Sequence, residues 1–119
     1  DFKTVLQISQ EIQQLAGRAR EGKLSLEDMK GATITITNIG SVGGLIATPI
    51  INHPEVAILG MYKIQDKPLW NGKEFVRAQF MNFSITCDHR LIDGAVAANF
   101  MKSFVARIEN PSQLMLDMI

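Results

Sequence analysis

The sequence predicts an α+β domain, because helical patterns lie at both ends of the chain and strand patterns lie between them. Residues 2–20 carry apolar side chains at three- and four-residue steps, which is typical of an amphipathic helix. Residues 33–37 alternate isoleucine with threonine, the period of a strand with two unlike faces. The 119 residues are 46% hydrophobic and 20% charged, so they can form one globular domain or part of one.

The composition indicates which partners to expect. Twelve acidic and twelve basic residues cancel and no long basic run is present, so neither nucleic acid nor an anionic membrane is an expected partner. No apolar run approaches the roughly 20 residues of a membrane span, and the first residues lack the organisation of a signal peptide. A single cysteine excludes an internal disulfide and is typical of a reducing compartment. Two distant histidines and that cysteine predict no metal site.

The first predicted helix spans residues 2–20, with Gly22 as its stop. Its periodic apolar residues are Val5, Ile8, Ile12, Leu15 and Ala19. No capping residue or turn is evident before this helix, which suggests that the chain starts inside a larger fold. Further on, Ser25 and Asp28 have the spacing of a capping box, so a short helical turn is predicted there, ending near Gly31.

The strand at residues 33–37 runs into a glycine-rich loop, Asn38–Gly44. Such a loop permits positive φ angles and lets a ligand approach the backbone closely. It lacks the Lys-Ser/Thr ending of a phosphate-binding loop, and its glycine spacing does not match a dinucleotide fingerprint. From the pattern alone, an ordinary turn is the alternative interpretation.

The middle of the chain predicts an extended segment, a buried strand and a hairpin. Residues 48–54 contain two prolines and should be extended, with His53 on a surface or a sheet edge. Residues 56–62 are continuously apolar, as in a buried central strand, and Gly60 within them indicates a close backbone approach. Asn71-Gly72 is a strong hairpin signal, and we expect Trp70 to pack on that hairpin rather than to bind a ligand.

Residues 74–87 are predicted to form one long strand. One face carries Phe75, Met81, Phe83, Ile85 and Cys87. The other face begins apolar and becomes polar toward His89, as expected where a strand leaves the core for a site. Cys87 shares the apolar face, so a buried, unreactive thiol is expected there rather than a nucleophile.

Asp93 is predicted to cap a helix that ends at Asn110-Pro111. The apolar positions of this helix include Val96, Phe100, Phe104, Val105 and Ile108. Ser112 is expected to cap a last helical turn. Five of the final six residues are large and apolar, which predicts that a partner surface covers them.

The segment Cys87–Gly94 concentrates the chemistry of the chain. His89 has an aspartate before it, an arginine after it and Asp93 four residues further on, at a predicted switch from strand to helix. A histidine is a natural general base near neutral pH, since its ordinary pKa lies close to that pH. A charged turn that happens to contain one histidine is the alternative interpretation from chemistry alone.

Several segments resemble one protein family. Residues 88–94 read D-H-R-L-I-D-G, which resembles the D-H-R-x-x-D-G signature of the dihydrolipoamide acyltransferases, core subunits of the 2-oxo acid dehydrogenase complexes. Chloramphenicol acetyltransferase shares the wider H-x-x-x-D-G motif. Residues 35–40, T-I-T-N-I-G, are similar to the family's T-I-S-N-x-G segment, and residues 48–52 and 54–60 are similar to the block that follows it. The chain is therefore identified as a member of this family.

The resemblance implies a fold and a domain organisation. The expected fold is a two-layer sandwich of a mixed or antiparallel sheet and helices, like that of chloramphenicol acetyltransferase but incomplete. Residues 1–119 correspond to the C-terminal half of the acyltransferase catalytic domain. The N-terminal half, the lipoyl domain and the peripheral-subunit-binding domain are absent from this sequence, so an isolated fragment is expected to be inactive.

The resemblance also implies a reaction, the transfer of an acyl group between dihydrolipoyl thiols and coenzyme A. His89 would be the general base, and the hydroxyl of Thr37, where the family usually has serine, would donate a hydrogen bond to the oxyanion. Asp93 would either support the histidine or have a structural role. The residues expected against coenzyme A are Thr37, Asn38, Gly60, Met61 and Tyr62.

The same resemblance implies an assembly. His89 and Thr37 would meet across the interface of a homotrimer, and trimers would build a cubic or dodecahedral core with contacts at Met118 and Ile119. Partners would be the decarboxylase and dihydrolipoamide dehydrogenase components, with a lipoyl group on a domain not present here. The expected location is a bacterial or archaeal cytoplasm or the mitochondrial matrix. The glycine-rich loop and the C-terminal residues favour the branched-chain type. A non-catalytic scaffold subunit and a trimeric acetyltransferase of the chloramphenicol type are the alternatives.

Overall fold

The computed structural model describes residues 3–118, which form two compact units divided between Ala32 and Thr33. The first unit contains helix α1 (Val5–Arg20) and a 3₁₀ turn (Glu27–Met29). The second contains β1 (Thr35–Asn38), a 3₁₀ turn (Gly40–Val42), β2 (Ala57–Met61), β3 (Gln65–Trp70), β4 (Phe75–Phe80), β5 (Phe83–Cys87), α2 (Gly94–Glu109) and α3 (Pro111–Asp117). This mixture of helices and strands confirms the predicted α+β class.

Helix α1 starts with a capping residue, contrary to the expectation from the sequence. The Thr4 hydroxyl accepts a hydrogen bond from the Gln7 backbone N–H at 3.3 Å, and the Gln7 side chain accepts one from the Thr4 N–H at 2.8 Å. This reciprocal pair is a capping box. The predicted range of residues 2–20 placed Thr4 inside the helix and so concealed the cap; residue 2 lies outside the described residues.

The predicted capping box at Ser25 is confirmed. The Ser25 backbone N–H donates to the Asp28 carboxylate at 2.9 Å, and the Asp28 N–H donates back to the Ser25 hydroxyl at 3.2 Å. The Arg18 guanidinium at the end of α1 donates two further hydrogen bonds to Asp28, at 3.0 and 2.9 Å. The Ser25 backbone bond, the Ser25 hydroxyl and Arg18 together hold the pKa of Asp28 below its ordinary value.

The second unit is built on a three-stranded sheet in the order β1-β2-β5. Strand β1 runs parallel to β2, and β5 runs antiparallel to it. Ala57, Ile58 and Leu59 of β2 are buried, as is Tyr62 just after it, so the continuously apolar segment is the central strand that the sequence predicted. On the neighbouring element, Phe104 of α2 packs edge-on against Phe83 of β5, with ring centroids 5.1 Å apart.

The prediction of one strand over residues 74–87 is wrong. Strand β4 pairs only with β3, whereas β5 pairs with β2 in the other sheet. Between them, the Asn82 side-chain amide donates to the Leu45 carbonyl at 2.9 Å. The side-chain alternation continues through the switch of partner, so the periodicity of the sequence contains no sign of it.

The β3–β4 hairpin confirms the Asn-Gly prediction. The Asn71 side chain accepts hydrogen bonds from the backbone N–H groups of Lys73 and Glu74, both at 2.9 Å. Gly72 has a φ of 97°, the left-handed region that favours glycine. Trp70 packs edge-on against Phe75 with ring centroids 5.2 Å apart, so this tryptophan packs on the hairpin as expected.

The C-terminal helices correct one predicted cap. Asn110 ends α2, as expected, and its side chain also caps α3 by accepting from the Gln113 N–H at 3.2 Å. The predicted cap, Ser112, instead lies within α3, because Pro111 suits the first helical position. Met115 and Leu116 are 69% and 66% exposed, while Ile119 lies outside the described residues.

The extended segment before β2 takes part in neither sheet. It ends in a turn at His53 and Pro54, closed by a hydrogen bond from the Glu55 N–H to the Asn52 carbonyl at 2.9 Å. His53 is exposed in this turn, as predicted. Val42, Ile46 and Ile50, which lie in and after the glycine-rich loop, are 82%, 73% and 90% exposed.

Candidate functional site

His89 lies on a tight turn that follows β5. The Asp88 backbone N–H donates to the Val56 carbonyl at 2.9 Å, which continues the pairing of β5 with β2 by one residue. The Asp88 carbonyl then accepts from the N–H groups of Leu91 and Ile92, both at 3.0 Å. His89 is exposed on this turn. The backbone on either side of the histidine is therefore fixed, while the imidazole faces outward.

Asp88 and Arg90 form an ion pair around the histidine. The Arg90 side chain donates three hydrogen bonds to the Asp88 carboxylate, at 2.6, 2.9 and 3.1 Å, and its backbone N–H donates a fourth at 3.0 Å. These contacts, the side-chain bonds foremost, lower the pKa of Asp88 to about 2. The ionised Asp88 carboxylate is thus bound by Arg90. Its role is to fix the turn rather than to orient the imidazole.

Asp93 is the N-cap of α2. Its carboxylate accepts from the Val96 N–H at 2.8 Å, which confirms the predicted cap. No hydrogen bond within residues 3–118 joins Asp93 to His89. The crowded segment around His89 therefore separates into a turn fixed by the Asp88–Arg90 pair, a capped helix and one exposed histidine.

Thr37 lies at the far end of the same sheet. It is opposite Gly60 in the β1–β2 pairing, and Asn38 is opposite Met61. The Ile39 N–H donates to the Met61 carbonyl at 3.2 Å, and the Asn38 side chain accepts from the Gly40 N–H at 2.9 Å. Thr37 is half-buried. The strand end and the start of the glycine-rich loop are therefore held close to β2.

Beside this strand end is a surface depression of about 350 Å³. It is lined by Asn38, Gly40, Ser41, Tyr62, Lys63, Ile64 and Met81. Two of the residues expected against coenzyme A, Asn38 and Tyr62, belong to this lining. Thr37, Gly60 and Met61 lie on the adjacent strands but do not line it. Lys63 was missed from the sequence, although a charged residue directly after a buried strand was a usable signal.

The Tyr62 side chain is only 1% exposed. Its hydroxyl donates to the Ala47 carbonyl at 2.7 Å and lies 2.5 Å from the Ser84 hydroxyl. The hydroxyl is therefore engaged inside the protein. The predicted contact between Tyr62 and coenzyme A can involve the backbone of this residue but not its hydroxyl group.

Within one chain, Thr37 and His89 lie at opposite ends of the sheet. Cys87 is opposite Ala57, whereas Thr37 is opposite Gly60, three residues further along β2. At roughly 3.3 Å per residue and about 4.8 Å between strands, the Cα atoms of Thr37 and Cys87 are about 14 Å apart. His89 lies beyond Cys87. One chain does not bring this hydroxyl and this imidazole together.

Residues 3–118 contain neither a cluster of metal ligands nor a helix able to span a membrane. In that part of the chain, histidine, cysteine, aspartate and glutamate side chains form no group of three that could hold a metal ion. Among the helices of these residues, none combines the length and apolar character needed to cross a membrane.

Comparison with known proteins identifies the class. A family model for the catalytic domain of the 2-oxoacid dehydrogenases acyltransferases matches residues 1–116. The chain belongs to this family, which confirms the resemblance seen in the sequence. A curated relative from Staphylococcus aureus, strain Mu50, is the dihydrolipoyllysine-residue acetyltransferase component of the pyruvate dehydrogenase complex; it is 50% identical over 117 residues. That match covers 98% of this chain and 27% of the relative, so the chain spans about a quarter of that protein's length.

Solved structures agree with this assignment. The dihydrolipoamide acetyltransferase of Azotobacter vinelandii is 42% identical and superposes with a TM-score of 0.90, over 97% of this chain and 47% of that one. A truncated catalytic core of the 2-oxoacid dehydrogenase multienzyme complex from Thermoplasma acidophilum is 47% identical, with a TM-score of 0.79 over 93% of this chain and 48% of that one. The second unit thus has the fold expected from the resemblance to acyltransferase cores.

Proposed function

We propose that the protein containing this chain transfers acyl groups between dihydrolipoyl thiols and coenzyme A in the core of a 2-oxo acid dehydrogenase complex. The observation that carries this proposal is the exposed His89 on its fixed turn, in a fold that superposes on the Azotobacter acetyltransferase with a TM-score of 0.90. A histidine held in place by its backbone, with a free face, suits a general base.

The residues studied in the Azotobacter enzyme support the choice of site. There, a serine, a histidine and an asparagine were investigated for their role in catalysis; the histidine lies 52 positions after the serine, and the asparagine 4 positions after the histidine. Thr37, His89 and Asp93 have the same two spacings. Threonine keeps the hydroxyl donor of serine, and aspartate keeps the capping ability of asparagine.

In the proposed mechanism, His89 takes the proton of the attacking thiol. The thiolate attacks the thioester carbonyl, and negative charge develops on the carbonyl oxygen. The Thr37 hydroxyl donates a hydrogen bond to that oxygen. When the intermediate collapses, the other sulfur leaves and receives the proton from His89. Asp93 contributes by fixing the start of α2, four residues after the histidine.

Coenzyme A is proposed to bind in the depression beside Asn38, with Thr37, Gly60, Met61 and the backbone of Tyr62 nearby. Lys63 adds an ammonium group to this lining, which suits the phosphates of that substrate. We propose acetyl as the transferred group, because the Staphylococcus and Azotobacter relatives are named acetyltransferases. These names give no support to the branched-chain type.

The assembly is proposed to be a trimer in which His89 of one subunit meets Thr37 of the next. Support comes from the separation of these residues within one chain and from a 41% identical relative that forms the cubic core of a pyruvate dehydrogenase complex. Met118 and Ile119 would join trimers into the larger core. The decarboxylase and dihydrolipoamide dehydrogenase components, and a lipoyl group on another domain, complete the proposal. The expected location is the cytoplasm or the mitochondrial matrix.

The deciding experiment measures acyl transfer from acetyl-CoA to dihydrolipoamide by the full-length protein. His89→Ala should slow the transfer about a hundredfold to ten-thousandfold, the usual contribution of a general base. His53→Ala removes the other histidine, which is exposed in a turn, and should leave the rate unchanged. Equal rates for wild type and His89→Ala would indicate a scaffold subunit instead. Succinyl-CoA and isobutyryl-CoA in the same assay test the choice of acyl group.

A further inference from the structure

The hydroxyl groups of the buried Tyr62 and the half-buried Ser84 meet beside the row of the sheet that contains Thr37. Thr37 of β1, Gly60 of β2 and Ser84 of β5 lie opposite one another across the three strands. The Tyr62 hydroxyl lies 2.5 Å from the Ser84 hydroxyl, and both reach the Ala47 carbonyl, at 2.7 and 3.3 Å respectively. We refer to these three groups as the Tyr62–Ser84–Ala47 latch. The latch ties the chain after the glycine-rich loop to two strands at once.

Gly60 makes room for the latch. A Cβ atom at this position would overlap the Tyr62 hydroxyl and would lie 2.8 Å from the Ser84 hydroxyl. Contacts that close essentially never occur, so a side chain at residue 60 would displace the Tyr62 hydroxyl from this position. The close backbone approach predicted for Gly60 is therefore an approach by the Tyr62 side chain.

Hydrogen bonds, rather than apolar burial, hold the segment 44–47. The Lys63 N–H donates to the Gly44 carbonyl at 2.8 Å, and the Asn82 side chain donates to the Leu45 carbonyl at 2.9 Å. Together with the latch, they bind three of the four carbonyl groups in this segment. Leu45 and Ile46, by contrast, are 49% and 73% exposed. With so little apolar area buried, the position of the segment depends on these few polar contacts.

We infer that Tyr62 and Ser84 are positioning residues that hold segment 44–47 against the sheet and so set the shape of the depression beside Asn38. This inference rests on the proposed function, in which that depression receives coenzyme A. Gly44 joins the segment directly to the glycine-rich loop, and Lys63, which donates to Gly44, also lines the depression. A loosened segment therefore alters the binding site of the thiol substrate without touching Thr37 or His89.

The test is steady-state kinetics of the full-length protein with acetyl-CoA as the varied substrate. Tyr62→Phe keeps the ring and removes the hydroxyl, and it should raise the KM for acetyl-CoA about fivefold to tenfold while kcat changes less than about twofold. Ser84→Ala should act in the same direction. Because the two hydroxyls share one carbonyl, the double variant should exceed the larger single effect only slightly.

Thr35→Val is the matched control. It removes another partly buried hydroxyl from the same sheet, one that donates to Glu55 at 2.6 Å and lies away from segment 44–47. This variant should lower the thermal midpoint by a similar amount and leave the KM unchanged. Amide hydrogen exchange in residues 44–47 should become faster in Tyr62→Phe but not in Thr35→Val.

The outcomes separate the latch from the proposed function. A wild-type protein with no saturable dependence on acetyl-CoA contradicts the proposed function itself. A saturable wild type combined with an unchanged KM in both Tyr62→Phe and Ser84→Ala overturns the latch alone. An equal rise in KM in Thr35→Val also overturns it, because general loss of stability would then explain the effect.

Discussion

At the Thr37 end of the sheet, side chains from two strands bind the backbone of the following segment, whereas at the His89 end the turn is fixed mainly by its own residues. Tyr62, Ser84 and Asn82 all donate to or share carbonyls of segment 44–47. By contrast, the turn at His89 has one backbone bond outside itself, to Val56; its other contacts are the two backbone bonds to the Asp88 carbonyl and the ion pair between Asp88 and Arg90. The Thr37 end is therefore a surface shaped by contacts between distant segments, and the His89 end is a fixed turn with an exposed imidazole.

This difference indicates how a shared site is divided between subunits. The Thr37 end offers a hydroxyl and a depression whose shape is set within one chain. The His89 end offers a proton acceptor that projects outward and is ready to complete a surface built elsewhere. The separation of about 14 Å between the Cα atoms of Thr37 and Cys87 keeps the two ends apart in one chain. Each end is therefore half of a catalytic site in the proposed trimer.

After His89→Ala, the largest expected effect comes from removing the hydroxyl at the Thr37 end. Thr37→Val keeps the shape and branching of the side chain and deletes the donor. Loss of one oxyanion donor usually costs about 2.7–4 kcal/mol in the transition state, so kcat should fall about a hundredfold to a thousandfold. Acetyl transfer by the full-length protein measures this. A fall of less than about threefold would remove Thr37 from the mechanism.

Thr37→Ser is the matched control, because it keeps the hydroxyl and should retain most of the activity.

Mixing two inactive variants tests whether Thr37 and His89 of one site come from different subunits. If Thr37 and His89 come from different subunits, co-assembly of Thr37→Val with His89→Ala should restore sites that are intact at about a quarter of the interfaces. Mixed particles with no more activity than either variant alone would place both residues in one subunit's site.

A smaller effect is expected at Glu55, which precedes β2 near the His89 end. Glu55 is 8% exposed, and its carboxylate accepts from the Thr35 hydroxyl at 2.6 Å and the Asn52 amide at 2.9 Å. Glu55→Met deletes the acceptor of both hydrogen bonds, while the half-buried Thr35 hydroxyl and the exposed Asn52 amide can turn to water. The free energy of unfolding should therefore fall by about 1–3 kcal/mol, the net contribution of two hydrogen bonds. Urea denaturation followed by circular dichroism measures the change. Glu55→Gln keeps one acceptor oxygen and should lose less; equal losses would show that burial, not hydrogen bonding, is what matters.

Two substitutions at Asp93 distinguish a capping role of this residue from a catalytic one. Asp93→Ala removes the bond to the Val96 N–H and should cost about 0.5–2 kcal/mol of stability. Asp93→Asn keeps a good capping residue and should leave both stability and kcat close to wild type. Thermal unfolding and acetyl transfer, measured on both variants, check this. A large fall in kcat for Asp93→Asn at full stability would show that the negative charge itself supports His89.

The fold was predictable wherever a local pattern decides the structure. The buried β2, the Asn71-Gly72 hairpin and the Asp93 cap each depend on residues close together in sequence, and each is confirmed. The exchange of partner between β4 and β5 was not predictable, because side-chain alternation is the same in both sheets. The Thr4 cap was missed for a different reason: the predicted helix was begun at residue 2, although its first periodic apolar residue, Val5, is the true first residue of α1.

The candidate site was predictable in its residue types but not in their arrangement. His89 and Asp93 are recognisable from the motif, and Thr37 from its strand and loop. The latch was not recognisable, because it joins residues 47, 62 and 84, which only the sheet register brings together. The polar face of residues 74–87 was predicted to lead toward a site at His89, and that prediction is wrong. Asn82 and Ser84 on that face bind segment 44–47 rather than His89.

The smallest expected effect is the pH dependence of the His89 turn. Arg90 lowers the pKa of Asp88 from 3.8 to about 2, so the ionised carboxylate favours the folded state. This contribution is complete above about pH 4 and is lost as the pH falls through about 2. The Asp88 side chain is 20% exposed but that of Arg90 is 87% exposed, so solvent screens the pair and the effect should be modest.

Thermal unfolding of wild type and Asp88→Asn between about pH 7 and pH 2 measures this contribution. The difference in thermal midpoint should stay constant down to about pH 4 and then narrow toward zero. Arg90→Gln removes the cause of the lowered pKa of Asp88. The difference in thermal midpoint between wild type and this variant should therefore narrow over the same pH range. If the difference persists at about pH 2, the protonated carboxyl group must be sufficient to hold the turn. The His89 end would then be fixed by hydrogen bonds of the backbone and of the neutral Asp88 side chain, and its contrast with the Thr37 end would rest on the number of hydrogen bonds rather than on charge.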